Sequence, residues 1–197
     1  MLCSKIIFRG VIAILVAFCL LSASCGSKET TDSAVISKET IESNQNEATE
    51  HFKRGFAYNY NGEYDKAIAE YTKAIEINPN YAEAYSNRGL AYSRIEKRDK
   101  AFADVNKAIE ICNKAIKSNP DDAYLYFNRG FAYDLLLESE KANDDYNRSI
   151  ALYNKAIESN PNNADYYYYR ARCYDALGET EKAKADLDKA KELGYNG

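Results

Sequence analysis

Residues 84–92 read Ala84-Tyr85-Ser86-Asn87-Arg88-Gly89-Leu90-Ala91-Tyr92, and residues 125–133 read Leu125-Tyr126-Phe127-Asn128-Arg129-Gly130-Phe131-Ala132-Tyr133. The same opening stands upstream as Glu50-His51-Phe52-Lys53-Arg54-Gly55-Phe56-Ala57-Tyr58, and downstream as Tyr166-Tyr167-Tyr168-Tyr169-Arg170-Ala171-Arg172-Cys173-Tyr174. Four matches in register make this part of the chain one unit written four times. The only three prolines keep the same beat, in Asn78-Pro79, Asn119-Pro120 and Asn160-Pro161, spaced 41 and 41 residues apart.

Each unit carries two helical patterns. Tyr85, Gly89 and Tyr92 are spaced four and then three, one face of a helix, and Ala67, Tyr71 and Ala74 repeat that spacing in the second half of the first unit. A glycine inside a helix costs about 0.5–1 kcal/mol relative to alanine. Gly55, Gly89 and Gly130 therefore imply close approach of a partner helix, through Ala67, Ala101 and Ala142. Asn80 with Glu83 three residues on reads as a capping-box start, with Asp121 and Asn162 in the same place later. Asp65, Asp99, Glu140 and Glu181 open the second helices, Gly62 and Gly178 mark turns, and Gly194 closes the last helix.

These motifs resemble the tetratricopeptide repeat, a helix-turn-helix unit of 34 residues that ends in proline. Gly55 to Gly89 keeps that length; the next two units run to 41. The excess is a duplicated heptad: Asn106-Lys107-Ala108-Ile109 is echoed by Asn113-Lys114-Ala115-Ile116, and Tyr146-Asn147-Arg148-Ser149-Ile150 by Tyr153-Asn154-Lys155-Ala156-Ile157. Seven residues make nearly two full turns, so the inward face is kept while the helix grows by about 10 Å. The expected fold is an all-α solenoid of four helix-turn-helix units at 48–81, 82–122, 123–163 and 164–197. The second helices of units two and three are lengthened, and polar Lys184, Asp188 and Lys191 cap the end.

The N-terminal residues read as a targeting segment. Lys5 and Arg9 precede an apolar run of eleven residues, Val11 to Leu21, too short for the ~20 residues of a membrane span. Leu21-Ser22-Ala23-Ser24-Cys25 resembles a bacterial lipobox, which would make 1–24 a signal peptide and Cys25 an acylated N-terminus; Leu21 stands four residues before the cysteine where the pattern has three. The alternatives are an ordinary cleaved signal and an uncleaved anchor. Residues 25–47, rich in Ser, Thr, Asn and Glu, read as a flexible tether spanning ~25 Å. Of five cysteines only Cys112 and Cys173 fall in the repeats, where they read as small buried apolar residues without a disulfide.

Composition narrows function mainly by exclusion. A net charge of −4, or −6 with 24 basic and 30 acidic residues once the signal is removed, argues against nucleic acid as partner. One histidine and no paired ligand spacing leave no metal or cofactor expected, and no P-loop, dinucleotide-type glycine pattern or nucleophile elbow points to an enzyme. His51 stands where other units have Tyr85, Tyr126 and Tyr167, as a packing residue; Asp121-Asp122 and Asp144-Asp145 read as solvated charges at helix starts. Asn147-Arg148-Ser149 is a fortuitous glycosylation match, and in the Tyr166–Tyr169 run at least Tyr167 belongs to the core.

The resemblance implies that the first helices line a concave partner-binding groove. The matching positions are Phe52, Phe56, Asn59 and Tyr60; Ser86, Asn87, Leu90 and Arg94; Tyr124, Phe127, Asn128 and Phe131; and Tyr168 and Arg172. Aromatic rings with interspersed amide and guanidinium groups suit recognition of peptides or other proteins, Asn87 and Asn128 bonding an extended backbone. Phe52 and Phe56 stand where a basic clamp for acidic tails would need Lys and Asn. The expectation is a scaffold or adaptor exported to a bacterial cell envelope and held at the membrane through Cys25. The alternative is a glycan- or small-ligand-binding protein using the same groove.

Overall fold

The computed structural model describes residues 29–195, so the signal segment and Cys25 lie outside the described residues. The chain divides between Asn46 and Glu47. Eight α-helices are described: α1 Glu29–Tyr60, α2 Tyr64–Ile77, α3 Ala82–Arg94, α4 Arg98–Ser118, α5 Ala123–Leu135, α6 Ser139–Ser159, α7 Ala164–Ala176 and α8 Thr180–Glu192. Each helix from α2 onward packs on the next, and the first helices also meet one another, α3 against α5 and α5 against α7. This is the expected all-α solenoid. The lengthened helices appear as expected: α4 and α6 have 21 residues each, against 14 in α2 and 13 in α8.

The tether expectation is corrected. Residues from Glu29 to Glu47 are not irregular chain but the first part of α1, which continues into the first repeat. No Gly or Pro interrupts residues 29–54, so the helix propagates backward one hydrogen bond per residue from the packed turns around Ala48, without a new nucleus. Glu42 to Glu47 remain exposed.

Punctuation follows from backbone chemistry. Asn78, Asn119 and Asn160 end their helices with ψ of 91°, 76° and 83°, outside the α-region, because a following proline excludes that region for the residue before it. Between the two helices of a unit the chain reverses through a left-handed residue. Gly62 and Gly178 fill that place at φ of 78° and 77°, as expected, but Glu96 and Leu137 hold it in the middle units at 60° and 61°. The following amide then bonds back five residues, Glu63 to the Tyr58 carbonyl at 2.9 Å and Glu138 to that of Tyr133 at 3.0 Å.

The expected capping box is not formed. Tyr81, not Asn80, precedes α3, and its side chain caps nothing; the Asn78 side chain instead accepts from the Asn80 amide at 3.1 Å. The functioning caps lie one residue later than expected. Asp122 accepts from the Tyr124 amide and Asn163 from that of Asp165, both at 3.0 Å, since two residues are spent turning after each Asn-Pro before the helix begins.

Helices approach closely at Gly55, Gly89 and Gly130 as expected, with a change of partner. A Cβ at Gly55 would fall 2.7 Å from the Tyr71 ring, at Gly89 2.8 Å from Val105 and at Gly130 3.0 Å from Tyr146. The close neighbour is therefore the residue four beyond the alanine. Ala67, Tyr71 and Ala74 are fully buried, as are Cys112 and Cys173, whose free thiols burial pushes up to about 12.

A repeating ion pair joins the two helices of every unit. Arg88, Arg129 and Arg170 each donate two hydrogen bonds, at 2.6–2.8 Å, to Asp104, Asp145 and Asp186, sixteen residues on. All three carboxylates are buried, so the reading of Asp145 as a solvated helix-start charge is corrected. The third guanidinium nitrogen reaches back sixteen residues into the preceding unit, to Thr72, Asn113 and Asn154. Glu70 and Thr72 stand two apart, whereas Asp104 and Asn113, like Asp145 and Asn154, stand nine apart. The inserted heptad thus lies between the two anchors and leaves both intact. Each guanidinium also sits 5.5 Å from the ring of Tyr85, Tyr126 or Tyr167.

In the first unit the same place is held by Arg54 and Glu70, with His51 Nδ1 2.7 Å from Glu70, so His51 is part of a polar cluster rather than a packing residue. Lys73, and with it His51 and Arg54, pull the Glu70 carboxyl down to about 2. In the tyrosine run it is Tyr169 that packs on two core clusters, while Tyr167 covers Arg170 and donates to the Pro161 carbonyl at 3.1 Å. Ser149 is fully buried and donates to the Ala123 carbonyl, so Asn147-Arg148-Ser149 lies on a packed helix.

Candidate functional site

The first helices enclose a cleft of about 530 Å³, walled by Phe52 and Phe56 from α1, Glu83 from α3, Tyr124 from α5 and Tyr168, Tyr169 and Arg172 from α7. The helical spacing of four between Phe52 and Phe56, and between Tyr168 and Arg172, turns each pair to one side of its helix. Tyr81 also lines it, its ring 5.2 Å from Phe52, as does Tyr195, stacked on Tyr168 at 4.1 Å. Tyr195 arrives there because Gly194, at φ 92°, reverses the chain after α8.

Of the expected groove residues, five meet in this cleft: Phe52, Phe56, Tyr124, Tyr168 and Arg172. Phe127 is 5% exposed and lies behind it, 6.2 Å from Tyr124, with the Arg172 guanidinium 5.8 Å from its ring. Asn87 and Asn128 are buried, and neither faces the cleft. Asn87 spends its amide on the Glu83 carbonyl of its own helix, while the Asn128 Oδ1 has no hydrogen-bond partner among the described residues. Leu90 lines a separate hollow of about 180 Å³ with Phe102, Val105 and Leu136. Asn59 and Phe131 are half-buried and Arg94 is exposed, all three outside the cleft wall. An amide at a first-helix position is turned into the repeat stack where the Arg–Asp pair fixes the helix rotation, which positional matching alone does not reveal.

Glu83 was legible only as a capping residue. With no cap to serve, its carboxylate turns into the cleft and accepts a short hydrogen bond from the Tyr124 hydroxyl, 41 residues away. Burial raises the Glu83 carboxyl above its ordinary value, opposed by the Tyr124 hydrogen bond and by the charge of Arg172. Arg172 donates to the Tyr168 hydroxyl at 3.0 Å. The cleft therefore offers aromatic faces with one acceptor and one donor group set apart, a surface able to hold an extended segment with alternating apolar and polar groups. Among the described residues no group of His, Cys, Asp and Glu is placed to hold a metal ion, and no helix is long and apolar enough to cross a membrane.

Stacked two-helix units with an inner layer of first helices define a helical-repeat protein. Three repeat-family models match it, one described as TPR repeat over residues 55–95 and two as Tetratricopeptide repeat over 80–155 and 152–185. The chain carries tetratricopeptide repeats from residue 55 to residue 185. Solved structures similar to it include the first TPR domain of the human RPAP3 protein (28% identity over 77% of this chain and 99% of that one, TM-score 0.41). Also similar are the first TPR of Spaghetti (RPAP3) bound to HSP90 peptide SRMEEVD (28%, 73% and 95%, TM-score 0.40) and TTC0263, a thermophilic TPR protein in Thermus thermophilus (23%, 75% and 74%, TM-score 0.43). No curated protein matches the chain.

Proposed function

We propose that the protein is a non-enzymatic interaction scaffold that holds segments of partner proteins in the aromatic cleft between its first helices. The observation that carries this reading is the convergence of Phe52, Phe56, Tyr124, Tyr168 and Arg172, from the first helices of three units, on one cleft of about 530 Å³. Rings of this kind supply contact area at low entropic cost, with Arg172 and Glu83 fixing register. Phe56 is 44% exposed, so it can be removed without opening the core. Affinity capture with the native chain and with Phe56→Ala tests the proposal: a defined protein partner is lost from the variant, and a partner set unchanged by the substitution overturns it. Should the cleft's occupant be a glycan, the second reading favoured by its run of tyrosines, the captured material is carbohydrate and equally sensitive to Phe56.

Export to a bacterial envelope and anchoring through an acylated Cys25 belong to the same proposal, supported by Lys5, Arg9, the apolar run Val11 to Leu21 and the small residues before Cys25. Metabolic labelling with a fatty acid decides: the native chain takes label and Cys25→Ala does not. Label retained by the variant contradicts the anchor.

A further inference from the structure

The lengthening of α6 builds a second hollow, of about 400 Å³, that shares only Tyr124 and Tyr169 with the concave cleft. Leu152, Tyr153 and Ala156 of the duplicated heptad region form one side of it. Tyr153, with its phenol hydroxyl, is 4% exposed and lines the hollow. Burial, with the nearby Asp122 and Asp165 carboxylates among the lesser causes, pushes that hydroxyl well above the usual tyrosine range, so it stays a neutral phenol.

Around it, the ring of Tyr169 lies parallel to that of Tyr153 at 6.3 Å and that of Tyr166 is tilted at 6.1 Å. Asp121, Asp122 and Asp165 supply three carboxylates, and no Lys or Arg lines the hollow. Arg148 stands 3.8 Å from Asp121 at the exposed rim. Asp122 is partly used, capping α5 through the Tyr124 amide, with the Asn119 amide at 3.5 Å; Asp165 has no ion-pair partner among the described residues. Tyrosine faces attract cations through their quadrupole, and carboxylates beside them add to that attraction. The carboxylates do not converge as metal ligands, which leaves an organic cation as the matching chemistry.

We propose that this hollow binds an organic ammonium group, carried either by a free amine or by a lysine side chain. This site needs no partner bound in the concave cleft, although the two share Tyr124 and Tyr169. The test titrates the full-length chain, followed by amide NMR, with choline and its uncharged isostere 3,3-dimethylbutan-1-ol, and with acetyl-Gly-Lys-Gly-amide and its norleucine counterpart. Saturable shifts of the Tyr153, Asp165 and Tyr166 resonances are expected with choline, the lysine peptide or both, and about tenfold weaker binding of the uncharged partners. Choline alone identifies a free amine, and the lysine peptide alone a side chain. Asp165→Asn and Asp122→Asn each reduce affinity several-fold. The second keeps its helix cap, because Asn163 caps α7 in the same way. Charged and uncharged compounds binding alike, no saturable shift from any of the four at millimolar concentration, or Asn variants that bind as the native chain does would each overturn the proposal.

Discussion

The Tyr124 hydroxyl donates to the Glu83 carboxylate, joining two first helices at the floor of the concave cleft. Burial raises Glu83 above its ordinary 4.5 in the folded chain, so the folded state holds this proton to higher pH than the unfolded state does. Ionisation of Glu83 therefore costs stability as pH rises past about 4.5, and the Tyr124 hydrogen bond offsets part of that cost. Tyr124→Phe is expected to lower stability by about 1–3 kcal/mol at neutral pH, and by less in mild acid where Glu83 is protonated. Urea denaturation across pH measures this directly. In a Glu83→Gln background, where no charge develops, the pH dependence of the Tyr124→Phe effect disappears.

The Arg–Asp pairs are the main polar fastening between helices of a unit. Removing one partner of a buried bidentate pair strands a charge, so Asp145→Asn is expected to cost about 3 kcal/mol or more. Lys107→Ala, which breaks only the exposed pair with Glu110, is expected to cost less than about 0.5 kcal/mol. Chemical denaturation midpoints of the two variants compare these directly. Equal effects would show that the pairs are surface decoration.

Leu137 occupies a left-handed turn that a glycine fills in the first and last units, and it is 87% exposed, so no packing is lost on truncation. A non-glycine residue in that conformation costs about 1–2 kcal/mol, of which glycine's greater freedom in the unfolded chain takes back about half. Leu137→Gly is therefore expected to stabilise the domain by roughly 0.5–1 kcal/mol, seen as a rise in Tm, and Gly62→Ala to lower it.

Much of this was legible in the sequence because repetition multiplies weak signals. Four copies of an Arg-Gly or Arg-Ala step, three Asn-Pro pairs and a doubled heptad fix helix number, order and length. The Arg–Asp ladder was written in the same copies, as an acid sixteen residues after each arginine, but a pair that far apart belongs to no single helix and so escapes a search by helical period. The site was half legible. Phe56 and Tyr168 on first helices line the cleft, whereas Asn87, Leu90 and Asn128 do not, because helix rotation decides which first-helix positions reach it. Glu83 and Tyr195 were missed because their positions depend on a cap that fails to form and on a chain reversal at Gly194. Composition alone suggests coil for the N-terminal part of α1, whereas its helical state comes from continuity with a packed helix.

Partner segments are expected to lie in the concave cleft. The most direct measurement places a photo-crosslinking benzophenone side chain at residue 56, inside the cleft, and in a second variant at residue 94, exposed but outside it. Irradiation of cells expressing each variant, followed by mass spectrometry, identifies what was touched. Cross-linking of one discrete partner segment from position 56 and not from position 94 is the predicted result; the same products from both positions, or none from position 56, would contradict it.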